Sequence, residues 1–255
     1  MNFFQAIILG VIEGITEFLP VSSTGHLMVG SEILAIPKTE FLKSFEIAIQ
    51  LGAIASVVFL YWKKFLFDKD TLLKTLFAFI PTGVLGAIFY QIIKKFLLED
   101  VTLVAWMLLL GGIGIIAFEY YYKRKKSPAG GDMITYPKAF LIGIFQAFAF
   151  VPGVSRAAAT IIGGLMIGIN RQRIVEFSFL LAVPTMFAAT VFDVYQNIQA
   201  FSANDGLLLL VGFTVSSITA VLSIKFLLRF IQKNTFISFG VYRIILAVLI
   251  MLFLL

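Results

Sequence analysis

The sequence contains no cysteine among its 255 residues, only one histidine, and only 13% charged residues. The absence of cysteine excludes disulfide scaffolds, thiolate zinc sites, thiolate nucleophiles and iron–sulfur sites. Soluble domains have about 25% charged and about 45–50% apolar residues, whereas here 60% of residues are hydrophobic and the mean hydropathy is +1.00. The composition therefore predicts a polytopic membrane protein whose chemistry uses oxygen and nitrogen groups.

Acidic residues are fewer than basic residues, with 14 Asp and Glu against 20 Lys and Arg, which gives a net charge of +6. An excess of positive charge can indicate a nucleic-acid partner. In a strongly apolar chain, however, basic residues that flank membrane spans usually determine orientation. We therefore expect membrane lipids as partners and no nucleic acid.

Long charged runs are also absent, and six apolar segments approach the roughly 20 residues that a helix needs to cross a membrane. These segments are residues 45–62, 75–93, 101–118, 177–195, 206–224 and 237–255. The fold class predicted from them is an all-α polytopic membrane protein with six spans.

Two further apolar stretches, residues 2–36 and 138–170, are each interrupted midway by a polar patch that contains proline. Each arm is too short to cross the membrane. Backbone that leaves a helix at membrane depth must be buried in protein or line a wet cavity, so both stretches are predicted to form re-entrant helix hairpins. The first stretch lacks a basic start and carries two glutamates, which is not typical of a cleavable signal peptide.

The two halves of the chain resemble each other. Leu9-Gly10-Val-Ile-Glu13 aligns with Ile142-Gly143-Ile-Phe-Gln146, and after a one-residue gap Pro20-Val-Ser-Ser23 aligns with Pro152-Gly-Val-Ser155. Each half then has one hairpin and three spans, and an odd number of spans gives the halves opposite topology. We expect one membrane domain composed of a first repeat (1–122), a linker (123–137) and an inverted second repeat (138–255). In such repeats, broken helices meet near the midplane.

The distribution of Lys and Arg predicts the orientation of these repeats. Fourteen basic residues fall in loops on one side of the six predicted spans and four fall on the other. Basic loops collect on the cytoplasmic side, so the linker 123–137 is expected inside and both termini outside.

Glu13 and Glu17 are four residues apart and therefore share one helix face in the first hairpin. Carboxylates inside apolar segments are usually functional. They are candidates for a Mg²⁺ or Ca²⁺ site or for general-base catalysis. The simpler alternative is an interfacial arm with both acids in water.

The first loop continues with Ser22, Ser23, Thr24 and His26, which combine hydroxyl groups with a proton-transfer group near a predicted helix start. The hydroxyls can alternatively serve as helix caps, and His26 can be an ordinary hydrogen-bonding residue. A histidine close to two carboxylates nevertheless favours acid–base chemistry.

The second loop, Pro152-Gly153-Val-Ser155-Arg156, places a guanidinium at the start of a predicted helix. Arginine forks and helix N-termini both bind phosphate, so this loop is predicted to bind an anion. Arg156 can alternatively pair with Glu13 or Glu17, or extend to the membrane surface. If the two loops meet, their carboxylates, hydroxyls, His and Arg form a set that is suited to phosphoryl transfer.

The two motifs Glu13-Gly-Ile-Thr-Glu17-Phe-Leu-Pro-Val-Ser-Ser-Thr-Gly-His26 and Pro152-Gly-Val-Ser-Arg156-Ala-Ala-Ala-Thr160 closely resemble those of the bacitracin-resistance family of undecaprenyl-diphosphate phosphatases. The resemblance extends over the whole chain in length and segment order. One departure is Ala157, because the family usually has serine after the motif arginine.

The resemblance implies hydrolysis of a polyprenyl diphosphate in the bacterial cytoplasmic membrane, with the site facing outward and the carrier lipid recycled for cell-wall synthesis. It implies that Glu13 and Glu17 form the acidic motif, that Ser23 and His26 lie at the reacting centre, and that Arg156 binds the diphosphate. The predicted site residues are these five as catalytic residues, with Ser22, Thr24, Gly153, Ser155 and Thr160 as further substrate contacts.

Ser23 is the expected nucleophile, although direct attack by water is an alternative. His26 is expected to be its proton partner or the acid for the leaving group, and Glu17, with Glu13 behind it, is expected to be a base or a ligand of Mg²⁺ or Ca²⁺. A transporter or flippase for polyprenyl phosphates is the alternative function, because inverted repeats with broken helices are common in transporters. The sequence does not determine oligomeric state, and a homodimer is compatible with it.

Overall fold

A computed structural model describes residues 1–92, 100–124, 133–196 and 206–255. All regular elements in these ranges are helical. The α-helices are α1 (Phe3–Thr16), α2 (Ser23–Ile33), α3 (Glu40–Phe67), α4 (Lys69–Ile92), α5 (Val101–Arg124), α6 (Tyr136–Ala147), α7 (Arg156–Met166), α8 (Arg171–Gln196), α9 (Gly206–Phe230) and α10 (Ile237–Phe253). A short 3₁₀ turn, Phe148–Phe150, follows α6.

Five helices, α3, α4, α5, α8 and α9, are long and apolar enough to cross a membrane, which confirms the all-α polytopic fold. The sixth expected span, 237–255, is a shorter helix, Ile237–Phe253, of 17 residues. At about 1.5 Å per residue this helix is about 25 Å long, somewhat less than the roughly 30 Å hydrocarbon core. The prediction of six full-length spans is therefore correct for five of them.

Both proline-interrupted stretches form helix–loop–helix hairpins, as the sequence predicted. In the first, α1 begins with a capping box between Asn2 and Gln5, and the loop after Thr16 leads into α2. In the second, Thr135 caps the start of α6, and the loop after the 3₁₀ turn leads into α7. Each hairpin thus presents the N-terminus of its second helix at the loop.

The second helices of the two hairpins match in length and in the backbone conformation of the residues that flank them. Ser22 (φ 73°) and Ser155 (φ 74°) occupy the positions immediately before α2 and α7, and Ala35 (φ 49°) and Gly168 (φ 82°) follow the ends of these helices. Both pairs are 133 positions apart. The one-residue gap in the predicted alignment is therefore wrong, because the shared left-handed serine marks the register. Ser155 corresponds to Ser22, and Ser23 corresponds to Arg156.

The halves are interlocked by helices that pack across them. α9 packs on α1, and in the same manner α4 packs on α6. At these contacts Thr219 Oγ1 lies 3.4 Å from the carbonyl oxygen of Gly10, and Thr82 Oγ1 lies 2.9 Å from that of Gly143. A Cβ atom on Gly143 would approach the carbonyl oxygen of Ala78 to 2.0 Å, so the glycine permits the close approach. Further pairs across the halves include α3 with α8 and α9, α4 with α8, and α5 with α7 and α10.

Several orientation predictions fall on residues outside the described ranges. Most of the linker 123–137 belongs to this group, as do Lys94, Lys95 and the segment 197–205. The opposite membrane orientation of the two repeats stays a prediction, as does the division of the chain at the linker.

Candidate active site

The shortest contact at the hairpin loops joins the hydroxyl of Ser23 to a carboxylate. Ser23 is the first residue of α2, and its Oγ donates a hydrogen bond of 2.6 Å to Glu17 Oε2. Glu17 lies just after α1, and both residues are buried. A carboxylate that accepts from a buried hydroxyl is positioned to take its proton.

Arg156 brings the second hairpin to the same carboxylate. Its Nε and Nη2 each lie 3.4 Å from Glu17 Oε1, while Nη1 donates to the backbone carbonyl of Ser178 at 2.8 Å. The guanidinium is therefore anchored on α8 and directed towards Glu17 and Ser23. The structure thus joins the predicted anion-binding arginine to the first loop, although the two sites are 139 positions apart in sequence.

Glu13 lies one helical turn before Glu17 and is completely buried. Among the residues that the structure describes, neither oxygen of its carboxylate has a hydrogen-bond partner. Glu17, Glu46 and Arg156 are within electrostatic range of it. A buried carboxylate without a donor is costly, so this position is suited to a cation, a proton or ordered water.

His26 lies on α2 but does not contact Ser23 Oγ or Glu17. Its Nδ1 is 2.7 Å from the carbonyl oxygen of Ser22, and its Nε2 is 2.7 Å from the hydroxyl of Tyr242 on α10. Of the two proton partners considered for Ser23, the geometry therefore favours Glu17. The expected pairing of Ser23 with His26 is not what the structure contains, because the carbonyl of Ser22 holds the ring one turn away.

Gly153 and Ser155, which were predicted as substrate contacts, determine the backbone conformation of the second loop. Gly153 has φ +92°, and a Cβ atom there would lie 2.8 Å from the carbonyl oxygen of Val104, so a side chain would not fit. The hydroxyl of Ser155 accepts from the N–H of Ala158 and caps α7. The loop is therefore rigid where it presents Arg156.

The first loop differs at the equivalent position, because Ser22 makes no side-chain cap with α2. The first N–H groups of a helix lack intrahelical partners and are donors for an anion. Thr24, in the first turn of α2, is partly exposed. Thr160, by contrast, lies deeper in α7, where its hydroxyl contacts Ser178 Oγ at 2.8 Å. Its predicted phosphate contact stays a prediction.

Arg243 on α10 is completely buried and was not among the predicted site residues. Its guanidinium donates to five backbone carbonyls from both loops and from α5: Pro20, Gly153, Val154, Met107 and Leu108. Arg243 therefore ties the two loop tips to each other and to α5. The signal that could have identified it is that it is the only charged residue in the last 22 residues, since ionisable residues in apolar spans are usually functional.

These features define a class of protein. It is a multi-pass membrane protein in which two helix hairpins bring a serine, two carboxylates and an arginine to one buried centre, beside an uncapped helix N-terminus. Phosphoryl transfer requires a nucleophile, a proton acceptor and cationic stabilisation, and a hydroxyl, a carboxylate and a guanidinium are chemically suited to these roles.

Comparison with known proteins identifies the family. Residues 6–249 match the family described as Bacitracin resistance protein BacA. The chain is 52% identical over 250 residues to the undecaprenyl-diphosphatase of Sulfurihydrogenibium sp. (strain YO3AOP1), covering 98% of both chains. It is 48% identical to that of Persephonella marina over the full length of both, and 46% identical to that of Aquifex aeolicus over 96% of both. The chain belongs to the bacitracin-resistance protein BacA family.

Proposed function

We propose that this chain hydrolyses undecaprenyl diphosphate to undecaprenyl phosphate and inorganic phosphate. The observation that carries the proposal is the hydrogen bond of 2.6 Å between Ser23 Oγ and Glu17 Oε2, with Arg156 on the other oxygen of the same carboxylate. Full-length relatives named undecaprenyl-diphosphatase support the same activity. A transporter would need an anion site but has no use for a nucleophile paired with a base.

The reaction begins at Ser23. Its Oγ attacks the distal phosphorus of the diphosphate while Glu17 accepts the hydroxyl proton. The bond from that phosphorus to the bridging oxygen breaks, and the electron pair leaves with undecaprenyl phosphate. Water then attacks the phosphoserine, the bond from phosphorus to Oγ breaks, and Ser23 regains the proton from Glu17. Both protons of the water leave with inorganic phosphate.

The remaining groups bind and stabilise the phosphates. The fork of Arg156 faces the equatorial oxygens of the transferring group, where a guanidinium can form two parallel hydrogen bonds. The uncapped N-terminus of α2 adds backbone N–H donors beside Ser22, Ser23 and Thr24. His26 is assigned to the leaving phosphate, since its ring does not contact the nucleophile.

A divalent cation fits the two glutamates. Glu13 and Glu17 offer oxygen ligands, and the oxygens of Glu13 lack a protein donor within the described ranges. No group of three or more metal-binding side chains is assembled there, but Mg²⁺ is often held by one or two carboxylates together with phosphate oxygens and water. Bound at Glu13 and Glu17, Mg²⁺ or Ca²⁺ would neutralise negative charge on the diphosphate.

The family and the loop charges support a proposal for the cellular setting. We assign the chain to the bacterial cytoplasmic membrane, with the hairpin loops facing outward, where the carrier lipid is recycled for peptidoglycan synthesis. The description of the family connects this activity with bacitracin resistance. Crosslinking of the purified protein tests whether it forms a homodimer.

The proposal is tested by phosphate release from undecaprenyl diphosphate by the purified, detergent-solubilised protein. Ser23→Ala should abolish turnover while retaining lipid binding, because a nucleophile contributes to chemistry more than to affinity. Glu17→Gln should do the same. Thr214→Ala is the matched control, since this exposed hydroxyl bonds only to its own helix.

Failure of the proposed mechanism and failure of the proposed activity give different results in this assay. Near-normal turnover of Ser23→Ala would reject the phosphoserine and favour attack by water. No phosphate release by the wild-type protein, with or without divalent cation, would reject the proposed function.

A further inference from the structure

The single histidine of the chain makes two short hydrogen bonds, one from each ring nitrogen. The carbonyl oxygen of Ser22 can only accept, so His26 Nδ1, 2.7 Å away, must carry a proton. Protonation of the ring therefore changes only Nε2, whose partner is the hydroxyl of Tyr242 at 2.7 Å. Tyr242 Oη can donate to Nε2 of the neutral ring and accept from the charged ring.

The ring of Tyr242 lies nearly in the plane of the His26 ring. The two planes are 6° apart, with 5.5 Å between centroids, and Nε2 and Oη, which lie in these planes, are 2.7 Å apart. This distance is too short for stacked faces, so the rings meet edge to edge and the hydroxyl fixes the direction of the imidazole. Tyr242 is 45% exposed, so packing in the core does not account for its position.

The neighbour of Tyr242 explains how α10 can hold this arrangement. Arg243 is buried and bound to the carbonyls of Gly153 and Val154 in the second loop. Successive residues on an α-helix point about 100° apart. Fixing Arg243 against the loops therefore fixes the rotation of α10, which directs Tyr242 towards His26.

We propose that Tyr242 is a positioning residue for His26, holding the imidazole in one orientation beside the phosphate-binding loops. This inference rests on the proposed function and deepens it. It assigns to α10 a part in the reaction through His26, without contact between Tyr242 and the reacting atoms.

Replacement of Tyr242 by phenylalanine tests the role, because Phe keeps the aromatic ring and removes only the hydroxyl. We expect kcat to fall by about tenfold or more, part of the roughly 10²–10⁴-fold that general acid–base catalysis contributes. KM should stay within about twofold. Tyr120→Phe is the control, because Tyr120 is exposed on α5.

A spectroscopic readout is independent of activity. Because His26 is the only histidine, ¹⁵N-histidine labelling of liposome-reconstituted protein, purified without a polyhistidine tag, gives one pair of ring signals by solid-state NMR. With the ring neutral, the wild-type protein and Tyr120→Phe should show protonated Nδ1 and unprotonated Nε2. Tyr242→Phe should shift the Nε2 signal, because Nε2 loses its hydroxyl partner, and should leave Nδ1 protonated.

Each of the following results would overturn the proposal. An unchanged ring spectrum in Tyr242→Phe would mean that the hydroxyl does not bind Nε2. Unchanged kcat would remove its role in catalysis, and a raised KM with unchanged kcat would make Tyr242 a substrate contact. Failure of Tyr242→Phe to fold would make the hydroxyl structural. If the wild-type protein releases no phosphate, the proposed function fails, while the spectrum still tests the contact.

Discussion

At the scale of single residues, Arg156 has two kinds of contact with different strengths. Nη1 makes a short bond to the carbonyl of Ser178, whereas Nε and Nη2 reach Glu17 only at 3.4 Å. The short bond holds the guanidinium in place, and the long bonds leave donors that a phosphate can recruit. The pairing of Arg156 with Glu17, which the sequence offered as a structural alternative, is thus compatible with phosphate binding.

The contribution of Arg156 can be measured by two substitutions. Arg156→Ala should lower kcat/KM by about 10³-fold or more, on the scale of phosphoryl-transfer arginines. Arg156→Lys keeps the charge but loses the fork, so it should recover only part of that loss. Equal activity of the Lys variant and the wild-type protein in the phosphate-release assay would mean that charge alone suffices.

A second prediction at this scale concerns the unpartnered carboxylate of Glu13. If Glu13 and Glu17 hold a divalent cation, exhaustive treatment with EDTA should stop hydrolysis, and added Mg²⁺ or Ca²⁺ should restore it. Glu13→Gln keeps the size and removes the charge, so this variant should require a higher cation concentration for half-maximal activity. Full activity after chelation would instead assign the glutamates to acid–base chemistry.

The site residues differ in how well the sequence predicted them. Glu13, Glu17 and Arg156 could be identified because ionisable residues are rare in apolar segments, and the structure brings all three together. The pairing of Ser23 with Glu17 rather than with His26 could not be predicted. It depends on the direction of the His26 ring, which the carbonyl of Ser22 and the hydroxyl of Tyr242 determine.

At the scale of helices, the polar patches that contain proline predict the two hairpins. They do not predict which residues of the two hairpins correspond. The sequence alignment matched Ser23 with Ser155 through the shared prolines. The structure matches Ser22 with Ser155 because both adopt positive φ. Serine rarely adopts this conformation, so no pattern in the sequence indicates it. The consequence is that Ser23 and Arg156 occupy the same first position of equivalent helices, and each contacts Glu17.

Arg243 on α10 binds carbonyl groups of both hairpin loops and gives a third prediction. Hydrogen bonds to a charged donor contribute about 1.5–3 kcal/mol each, and three of the carbonyls bound by Arg243 lie in the hairpin loops. Arg243→Met should therefore lower the midpoint of thermal unfolding in detergent and reduce turnover. Arg243→Lys should have an intermediate effect, because an ammonium has three donors rather than five.

The control for this prediction is Arg229→Met, since Arg229 is exposed near the end of α9. It should leave both the unfolding midpoint and the turnover nearly unchanged. If Arg243→Met unfolds at the wild-type temperature, the loops are held by other contacts and the positioning role of Arg243 is wrong.

At the scale of the whole molecule, helices of each half pack against the hairpin of the other half and join the halves into one unit. α9 of the second half covers α1, and α4 of the first half covers α6. Ser216 and Ser223 on α9 also donate to the carbonyls of Ile49 and Ile15 in the first half. Neither hairpin is therefore packed by its own half alone, and the site requires both repeats.

The orientation of this unit in the membrane is the last prediction. The basic loops place residue 38 outside, between the first hairpin and α3, and residue 233 inside, between α9 and α10, because fourteen basic loop residues lie on the inner side and four on the outer. Both residues are exposed lysines, and the chain has no cysteine. Single Lys38→Cys and Lys233→Cys variants therefore report each side without background.

In intact cells, an impermeant thiol reagent should label Cys at position 38 and not at position 233, and both positions should react after the membrane is permeabilised. Labelling of 233 alone would invert the orientation and move the Glu17–Ser23 hairpin to the cytoplasmic side. The substrate would then have to be hydrolysed inside, so the same experiment also tests the outward-facing site. Phosphate release by each cysteine variant shows that the labelled protein is folded.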